Sequence, residues 1–184
     1  MGRFGDKRLA RRAGAGETLA RQRMVADHYE GIYRFLVHLC RNAHHAEDLT
    51  QETFVAACTG VEQFDGCSSM YTWLHRIAYN KFIDHTRRIS REREQASAFS
   101  QQAHADSCNT DPAACLTAAE DDRRIQAAIE RLADQDREMI TMHYRQELSF
   151  RQMAEILNRH VGTIKWQVGL VLGRLRKLLE VQRP

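Results

Sequence analysis

The scarcity of proline is the feature that most constrains how this chain folds. Only Pro112 and Pro184 occur, so the long segments on both sides of residue 112 contain no residue that breaks a helix. Between Thr18 and Cys40, apolar residues recur at steps of three and four, which is the spacing of one helical face. Strand signals, which need apolar residues at every second position, are nearly absent. The sequence therefore predicts an all-α fold.

Three helices are predicted in the first half of the chain. The first covers residues 18–40, the second covers about 45–62, and the third follows a loop at 64–69. Gly66 gives that loop conformational freedom, and one of the two serines at its end can cap the helix that follows. Three amphipathic helices can close one small bundle.

The last part of the chain has the pattern of a helix-turn-helix. Ser149 and Gln152 have the spacing of a capping box at the start of a short helix, and Asp134 is predicted to cap the helix before it. Residues 158–160 make a tight turn, and a longer basic helix covers about 161–179. A short helix, a tight turn and a longer helix are the layout of this DNA-binding motif.

A polar segment separates the two helical regions. Ser, Gln, Ala and Asp dominate between residues 90 and 117, and Asp111-Pro112 marks a turn or break. We therefore expect two small helical domains joined by a flexible polar linker. The expected boundaries are a basic, disordered arm at 1–17, a first domain at 18–93, a linker at 94–118 and a second domain at 119–184.

Positive charge is concentrated at the start of the chain, although the net charge is only +3. A basic arm of this kind is attracted to polyanions without reading any sequence. Up to residue 23 the basic residues are Arg3, Lys7, Arg8, Arg11, Arg12, Arg21 and Arg23, and the acidic ones are Asp6 and Glu17.

The composition argues against several classes of protein. No apolar run is long enough to cross a membrane, and the N-terminus lacks the apolar core of a signal peptide, so we expect a cytoplasmic protein. The five cysteines include no C-x-x-C pair, which indicates reduced thiols rather than a disulfide framework. No catalytic triad, phosphate-binding glycine loop or catalytic acid pair is present. We therefore predict neither enzymatic activity nor a cofactor.

The two histidines at the start of the second helix are candidate metal ligands. His44 and Asp48 lie four residues apart, as do Asp48 and Glu52, and such pairs can ligate a metal. However, His44 is expected to precede the helix, and no distant Cys/His pair completes a site. The sequence therefore predicts no metal.

The second helix carries an acidic face. Glu47, Asp48, Gln51 and Glu52 lie opposite the apolar residues of the same helix, which include Phe54. This pattern fits a solvated face with acids near the helix N-terminus, where the dipole favours them. Composition alone favours this solvated face, and the alternative is a docking face for a basic protein surface.

Two further regions have the chemistry of nucleic-acid binding. Residues 64–88 mix aromatic side chains with cations, as a single-strand surface does, although rings such as Trp73 can equally fill a helical core. The final helix carries Thr163, Lys165, Gln167 and Arg174, which can reach phosphates or base edges.

Taken together and in this order, these regions resemble the extracytoplasmic-function (ECF) group of RNA polymerase sigma factors. The resemblance covers about residues 24–93 and 121–179. AEDLTQETFVAAC (46–58) is similar to the segment that docks on the polymerase, and MYTWLHRIAYNKFIDHTRR (70–88) resembles the promoter −10 segment. LADQDREMITMHYRQELSFRQMAEIL followed by HVGTIK resembles the −35-binding domain. The resemblance implies a three-helix-type σ2 bundle and a σ4 helix-turn-helix domain.

The resemblance also implies partners and residue roles. The partners are core RNA polymerase, promoter DNA and an anti-sigma factor, and the chain itself performs no covalent chemistry. The implied polymerase-binding residues are Glu47, Asp48, Gln51, Glu52 and Phe54. The implied −10 DNA-binding residues are Asp65, Gly66, Cys67, Ser68, Ser69, Tyr71, Arg76, Asn80, Lys81, Arg87 and Arg88. The implied −35 DNA-binding residues are Arg159, His160, Thr163, Lys165, Trp166, Gln167 and Arg174.

The chain departs from the family pattern at Trp166-Gln167, where Ser-Arg is usual, and Trp166, Leu170 and Val171 are surplus apolar residues. Two hypotheses explain them: an unusual −35 sequence read through Gln167, or a face covered by a partner such as an anti-sigma factor. Cys67 likewise replaces a charged or polar residue. Two other functions stay open, a helix-turn-helix regulator that acts without polymerase and a degenerate sigma-like interaction module.

Overall fold

The computed structural model of the chain describes residues 3–97 and 120–180, with side chains described over 5–95 and 124–180. The described residues form helices and no strand, which confirms the predicted all-α class. They fall into two compact units, Met1–Asn109 and Thr110–Pro184. No described helix combines the length and the apolar character that crossing a bilayer requires.

The first unit is built on three helices, α2 (Thr18–Cys40), α3 (Ala43–Gly60) and α4 (Met70–Ser97). The first matches its predicted range, and a 3₁₀ turn at Val61–Gln63 ends the second. The helices pack on one another because each buries an apolar stripe. The largest fully buried side chains of the unit include Met24, Ile32, Phe35, Leu36, Met70 and Leu74.

A further helix, α1 (Arg3–Gly14), precedes this bundle and packs against it. The prediction of a disordered arm over residues 1–17 is therefore wrong for the described part. Ala10 and Ala13 are fully buried, and the Arg21 guanidinium donates a hydrogen bond to the Ala13 carbonyl at 2.9 Å. Because its buried face consists of small side chains, α1 has no strong hydrophobic stripe in the sequence.

The boundary between α4 and the expected linker lies later than predicted. α4 continues to Ser97, so residues 94–97 are helical and extend the first unit. Most of the expected linker, residues 98–119, lies outside the described residues. Its flexibility stays a prediction.

The second unit contains α5 (Glu120–Glu130), α6 (Asp134–Ile140), α7 (Phe150–Leu157) and α8 (Val161–Glu180). A π-helical turn, Thr141–Arg145, extends α6. Each buries its apolar stripe against a neighbour, and the unit's core includes Leu132, Met142, Met153, Ile164 and Val168.

The predicted helix-turn-helix is confirmed in its local geometry. The Ser149 N–H donates to Gln152 Oε1 at 2.9 Å, and the Gln152 N–H donates back to Ser149 Oγ at 3.3 Å, which completes the capping box. Asn158 ends α7 in the left-handed conformation, with φ of 50°. The cap predicted at Asp134 is wrong: Ala133 is the N-cap, and Asp134 pairs with Arg137 at 3.1 Å.

Apolar residues of the second unit divide between core and surface. Tyr144 is 54% exposed. It lies within the π-helical turn, whose wider winding rotates side chains off the 3.6-residue stripe. On α8, Val171 is buried, whereas Leu172 is exposed.

Candidate functional site

The acidic face of α3, made of Glu47, Asp48, Gln51 and Glu52, is exposed as predicted. The opposite side of the helix is buried, and its two threonines are satisfied within the helix. The Thr50 hydroxyl donates to the Ala46 carbonyl at 2.6 Å, and the Thr53 hydroxyl donates to the Leu49 carbonyl at the same distance. The helix therefore holds all four polar residues at one surface.

Phe54 does not belong to this surface, which corrects its predicted role in polymerase binding. Its side chain is 6% exposed, and its ring stacks on Tyr29 with the centroids 5.9 Å apart. Its position on the helix turns it toward α2. The apolar residue beside the acidic face is instead Val55, which is 68% exposed and which the sequence reasoning missed. Its spacing of four from Gln51 is the signal that could have found it.

An open groove of about 980 Å³ runs between α3 and α4. Asp48, Gln51 and Glu52 of the acidic face form part of one wall, and the Lys81 ammonium reaches across to the Glu52 carboxylate at 3.3 Å. Arg88 lines the same groove. Two of the cations that the resemblance implied for −10 DNA therefore lie beside the implied polymerase residues. They are not grouped with the loop that precedes α4.

Two histidines meet in this groove. The rings of His45 and His85 pack edge-to-face with centroids 4.7 Å apart. Burial lowers the pKa of His85, and the neighbouring His45 and Arg88 lower it further. The described residues contain no cluster of three or more possible metal ligands, here or elsewhere.

The loop before α4 is a tightly hydrogen-bonded turn. The Cys67 N–H donates to Asp65 Oδ1 at 2.8 Å, and this bond is the main reason that the pKa of Asp65 is lowered. Gly66 has φ of 70°, a conformation that side chains with a Cβ rarely adopt. Ser69 Oγ accepts from the Thr72 N–H at 3.1 Å and so caps α4. Cys67 is exposed at the turn.

The aromatic residues around this loop divide between core and surface. Trp73 is buried, and its ring meets Phe64 edge-to-face at 5.5 Å, which confirms its predicted core position. Phe82 is only half-buried, and so is Tyr71, whose ring packs on His75. The polar residues Arg76, Asn80 and Arg87 point outward along α4.

α1 contributes residues to the loop that the sequence reasoning did not assign. Asp6 Oδ2 accepts a hydrogen bond from the Met70 N–H, the first residue of α4, at 3.0 Å. The side chain of Lys7 lies across the loop, so that a Cβ added at Gly66 would be 2.8 Å from Lys7 Cδ. No local pattern signals either contact, because the partners are far apart in the chain.

In the second unit, the start of α8 presents several of the implied −35 residues to solvent. Arg159, His160, Thr163, Lys165 and Trp166 are all exposed. Gln167 is half-buried, and its Oε1 accepts from Arg159 Nη1 at 3.1 Å. The implied −35 residues therefore include a hydrogen-bonded Arg–Gln pair.

Arg174 is exposed but lies apart from this group. Its guanidinium pairs with Asp136 on α6, which fixes the middle of α8 to the rest of the unit. It also lies eleven residues beyond Thr163, or about 16 Å along the helix. A base-reading surface at the start of α8 does not extend that far.

An exposed apolar strip lies beside the implied −35 residues. Trp166 is 63% exposed, and Leu170 follows it one helical turn later. Val171 is buried and is not part of this strip. Two of the three residues described as surplus therefore face solvent.

Each of the two units contains a match to a family model of known proteins. Residues 24–92 match the family model for Sigma-70 region 2, and residues 122–179 match the model for Sigma-70, region 4. The ECF RNA polymerase sigma factor SigW of Bacillus subtilis is 32% identical over 162 residues, which are 84% of this chain and 87% of SigW. The ECF RNA polymerase sigma factor SigM of the same organism is 30% identical over 154 residues, or 81% and 86% of the two chains.

Solved structures agree with these matches. The sigma factor RpoE of Bartonella quintana, in complex with the anti-sigma factor NepR, has a TM-score of 0.69 and 25% identity, covering 88% of this chain and 98% of RpoE. CnrH, in complex with the cytosolic domain of CnrY, has a TM-score of 0.68 at 23% identity, covering 97% of this chain and 99% of CnrH. The second likeness is one of fold.

Proposed function

Because the chain belongs to the ECF RNA polymerase sigma factors, we propose how three of its surfaces divide the work of promoter recognition. The acidic face of α3 binds core polymerase, the 65–69 loop captures a −10 base, and the start of α8 reads the −35 element. The observation that carries the proposal is that all three surfaces reach solvent, two on helices and one on a loop, next to well-packed helical cores. The chain acts in the cytoplasm and catalyses no covalent step itself.

The polymerase surface combines charge with an apolar centre. Among the described residues, Glu47 and Asp48 have no ion-pair partner, so their charges are available to a basic surface. Val55 adds apolar area next to them. Charge complementarity sets the rate and specificity of such contacts, and a buried apolar residue adds affinity.

The 65–69 loop is suited to hold an extruded base because it is rigid before DNA arrives. Flipping a base out of the stack costs a few kcal/mol, which pocket contacts must offset. A loop fixed by the Asp65–Cys67 bond and by the Ser69 cap loses little entropy on binding. Ser68 and the backbone of the turn supply hydrogen-bonding groups for the base edge.

The start of α8 would enter the major groove, as the second helix of a helix-turn-helix does. Lys165 and Thr163 are placed to contact phosphates or base edges, and the Arg159–Gln167 pair presents a guanidinium and an amide together. Arg174 stabilises α8 through Asp136 and takes no part in reading DNA.

We further propose that an anti-sigma factor controls the chain, as NepR binds the similar RpoE. The strip of Trp166 and Leu170 is the surface assigned to this contact, because exposed apolar area usually marks an interface. Trp166→Ser separates this assignment from a role in reading DNA. Loss of inhibitor capture supports the contact, loss of promoter binding alone supports DNA reading, and no change in either contradicts both.

Charge reversal on the acidic face tests the proposed function. The double variant Asp48→Lys/Glu52→Lys should no longer co-elute with purified core polymerase on gel filtration, because like charges would meet in the contact. The matched control Asp27→Lys/Glu30→Lys changes the net charge equally at exposed positions on α2 and should co-elute like wild type. Equal co-elution of both variants would contradict the assignment. Both should keep the DNA affinity of the isolated chain.

A further inference from the structure

α1 is fixed against the rim of the 65–69 loop by two contacts. The Asp6 carboxylate, which is 5% exposed, accepts the Met70 N–H at the start of α4. The aliphatic part of Lys7 lies over Gly66, in the middle of the loop. Both contacts join parts of the chain that are distant in sequence, 64 residues apart for Asp6 and Met70, so α1 is a built part of this surface.

Three cations of α1 form no ion pair with a described side chain, although the acidic residues Glu62 and Asp65 lie near them. Arg12 is paired with Glu17, and Asp6 is occupied by its hydrogen bond to α4. Lys7, Arg8 and Arg11 are exposed, and among the described side chains none has a carboxylate within ion-pair distance. Three exposed cations therefore stand on one helix beside the candidate base pocket, with only Glu62 and Asp65 as nearby acids, and leave a net positive patch.

The cations line a groove that begins at the loop. This groove, of about 640 Å³, is formed by one face of α1 together with Val61, Glu62 and Phe64. Phe64 directly precedes the loop, so the groove and the loop form one continuous surface. The Lys7 charge also contributes to the lowered pKa of Asp65, which agrees with its position over the turn.

We propose that α1 belongs to the promoter interface and binds the backbone phosphates of the single strand next to the base captured by the 65–69 loop. This inference rests on the proposed function, because it needs the loop to hold DNA. Any extruded base is flanked by phosphates, and Lys7 is the cation positioned to meet them first. Arg8 and Arg11 continue the contact along the groove.

The contact supplies affinity without sequence preference. Each phosphate neutralised on a single strand releases counterions, and the slope of log K against log salt changes by about 0.7. Losing two such contacts lowers the slope by about 1.4. Discrimination among −10 bases depends on the loop and stays unchanged.

The test uses holoenzyme reconstituted from the full chain and core polymerase. Its probe is a fluorescein-labelled fork DNA carrying a −10 strand selected on wild-type holoenzyme. Lys7→Ala/Arg11→Ala should bind this probe more weakly, with a salt slope lower by about 1.4, and should keep the wild-type ratio of affinities for matched and mismatched −10 bases. Both residues are exposed, so the fold is retained.

The matched control is Arg23→Ala/Arg34→Ala, which removes the same charge from exposed positions on α2. It should keep the wild-type salt slope. An equal fall in both variants would show a general charge effect and overturn the proposal. An unchanged salt slope of DNA binding in Lys7→Ala/Arg11→Ala would overturn it as well. This holds even if the variant binds core polymerase less tightly than wild type does.

The outcomes also separate this inference from the proposed function. Wild-type holoenzyme that shows no preference for any −10 base would contradict base capture by the loop. A salt slope that falls only in Lys7→Ala/Arg11→Ala would still support phosphate binding by α1. A preserved base preference together with an unchanged slope would retain the loop assignment and overturn the α1 contact.

Discussion

Asp6 places a buried carboxylate against the first N–H group of α4, where both the hydrogen bond and the helix dipole favour a negative charge. A single acidic residue in a basic segment thereby joins α1 to the start of the helix that follows the 65–69 loop. At the same scale, Lys7 covers Gly66 and the Asp65 carboxylate closes the turn. Individual polar contacts therefore help to set the shape of this surface.

Asp6→Ala should destabilise the first unit by about 1–2 kcal/mol, because it removes a helix cap and leaves a buried N–H group without its acceptor. Asp6→Asn keeps an acceptor oxygen and should lose less. Urea unfolding followed by Trp73 fluorescence, in a Trp166→Phe background, reports this unit. Asp27→Ala, on the surface of α2, is the control. Equal stability of Asp6→Ala and the control would show that the cap is not significant.

The pH dependence of stability should include a contribution from His85. Its pKa is lowered below 6.5 in the folded chain, chiefly by burial and then by His45 and Arg88, so the neutral ring is favoured. The unfolded chain takes up a proton first as pH falls. This part of the stability is therefore complete above pH 6.5 and is lost as pH falls from 6.5 through the lowered pKa.

His85→Gln tests that contribution. The fall in urea midpoint between pH of about 7.5 and about 5.5, which bracket the ordinary histidine pKa, should be smaller in the variant than in wild type. His28 also has a pKa lowered by burial, so part of the dependence should persist. An identical fall in wild type and variant would contradict the role of His85.

At the scale of elements, α7 and α8 are held in register by local bonds that cross their turn. The Ser149–Gln152 capping box fixes the start of α7, the left-handed Asn158 turns the chain, and Arg159 reaches Gln167 on α8. The amide of Gln167 is therefore oriented before DNA binds. Arg159 and Gln167 should act as one unit in reading the −35 element.

Arg159→Ala and Gln167→Ala should each weaken binding to the preferred −35 site by about 1–3 kcal/mol, the value of one specific base contact. Because the side chains are hydrogen-bonded to each other, the double variant should lose less than the sum of the two. Affinities measured for matched and mismatched −35 duplexes give this double-mutant cycle. Additive losses would show that the pair does not act as a unit.

The contrast between α2 and α1 shows which elements a sequence can predict. The large apolar residues of α2 recur with helical spacing, so its range was predicted correctly. α1 buries only alanines and one hydrogen-bonded aspartate, and neither produces a periodic apolar signal. A helix that is buried through contacts with distant residues cannot be predicted from the spacing of its own apolar residues.

The same reasoning applies to the candidate site. The capping box is local, so the position of the recognition helix followed from the sequence. Phe54 was assigned with the acidic residues by resemblance, although its helical position turns it toward Tyr29. Arg174 was assigned by charge, but its partner Asp136 lies on another helix. Contacts with distant parts of the chain therefore set the positions of Phe54 and Arg174.

At the scale of the whole molecule, the two units carry separate parts of one function. Sigma-70 region 2 and region 4 matches fall in the same order as the first and second units. In the proposed division of surfaces, neither unit alone supplies polymerase binding together with recognition of both promoter elements. The account therefore predicts that the connected chain confers two-element specificity on core polymerase.

Run-off transcription on templates with a randomised upstream region tests this claim most directly. With the wild-type chain added to purified core polymerase, the transcribed templates should be enriched for two sequence elements at a fixed spacing. Asp48→Lys/Glu52→Lys should remove the enrichment, and Asp27→Lys/Glu30→Lys should retain it. Transcripts that are the same with core polymerase alone and with the wild-type chain would contradict the account.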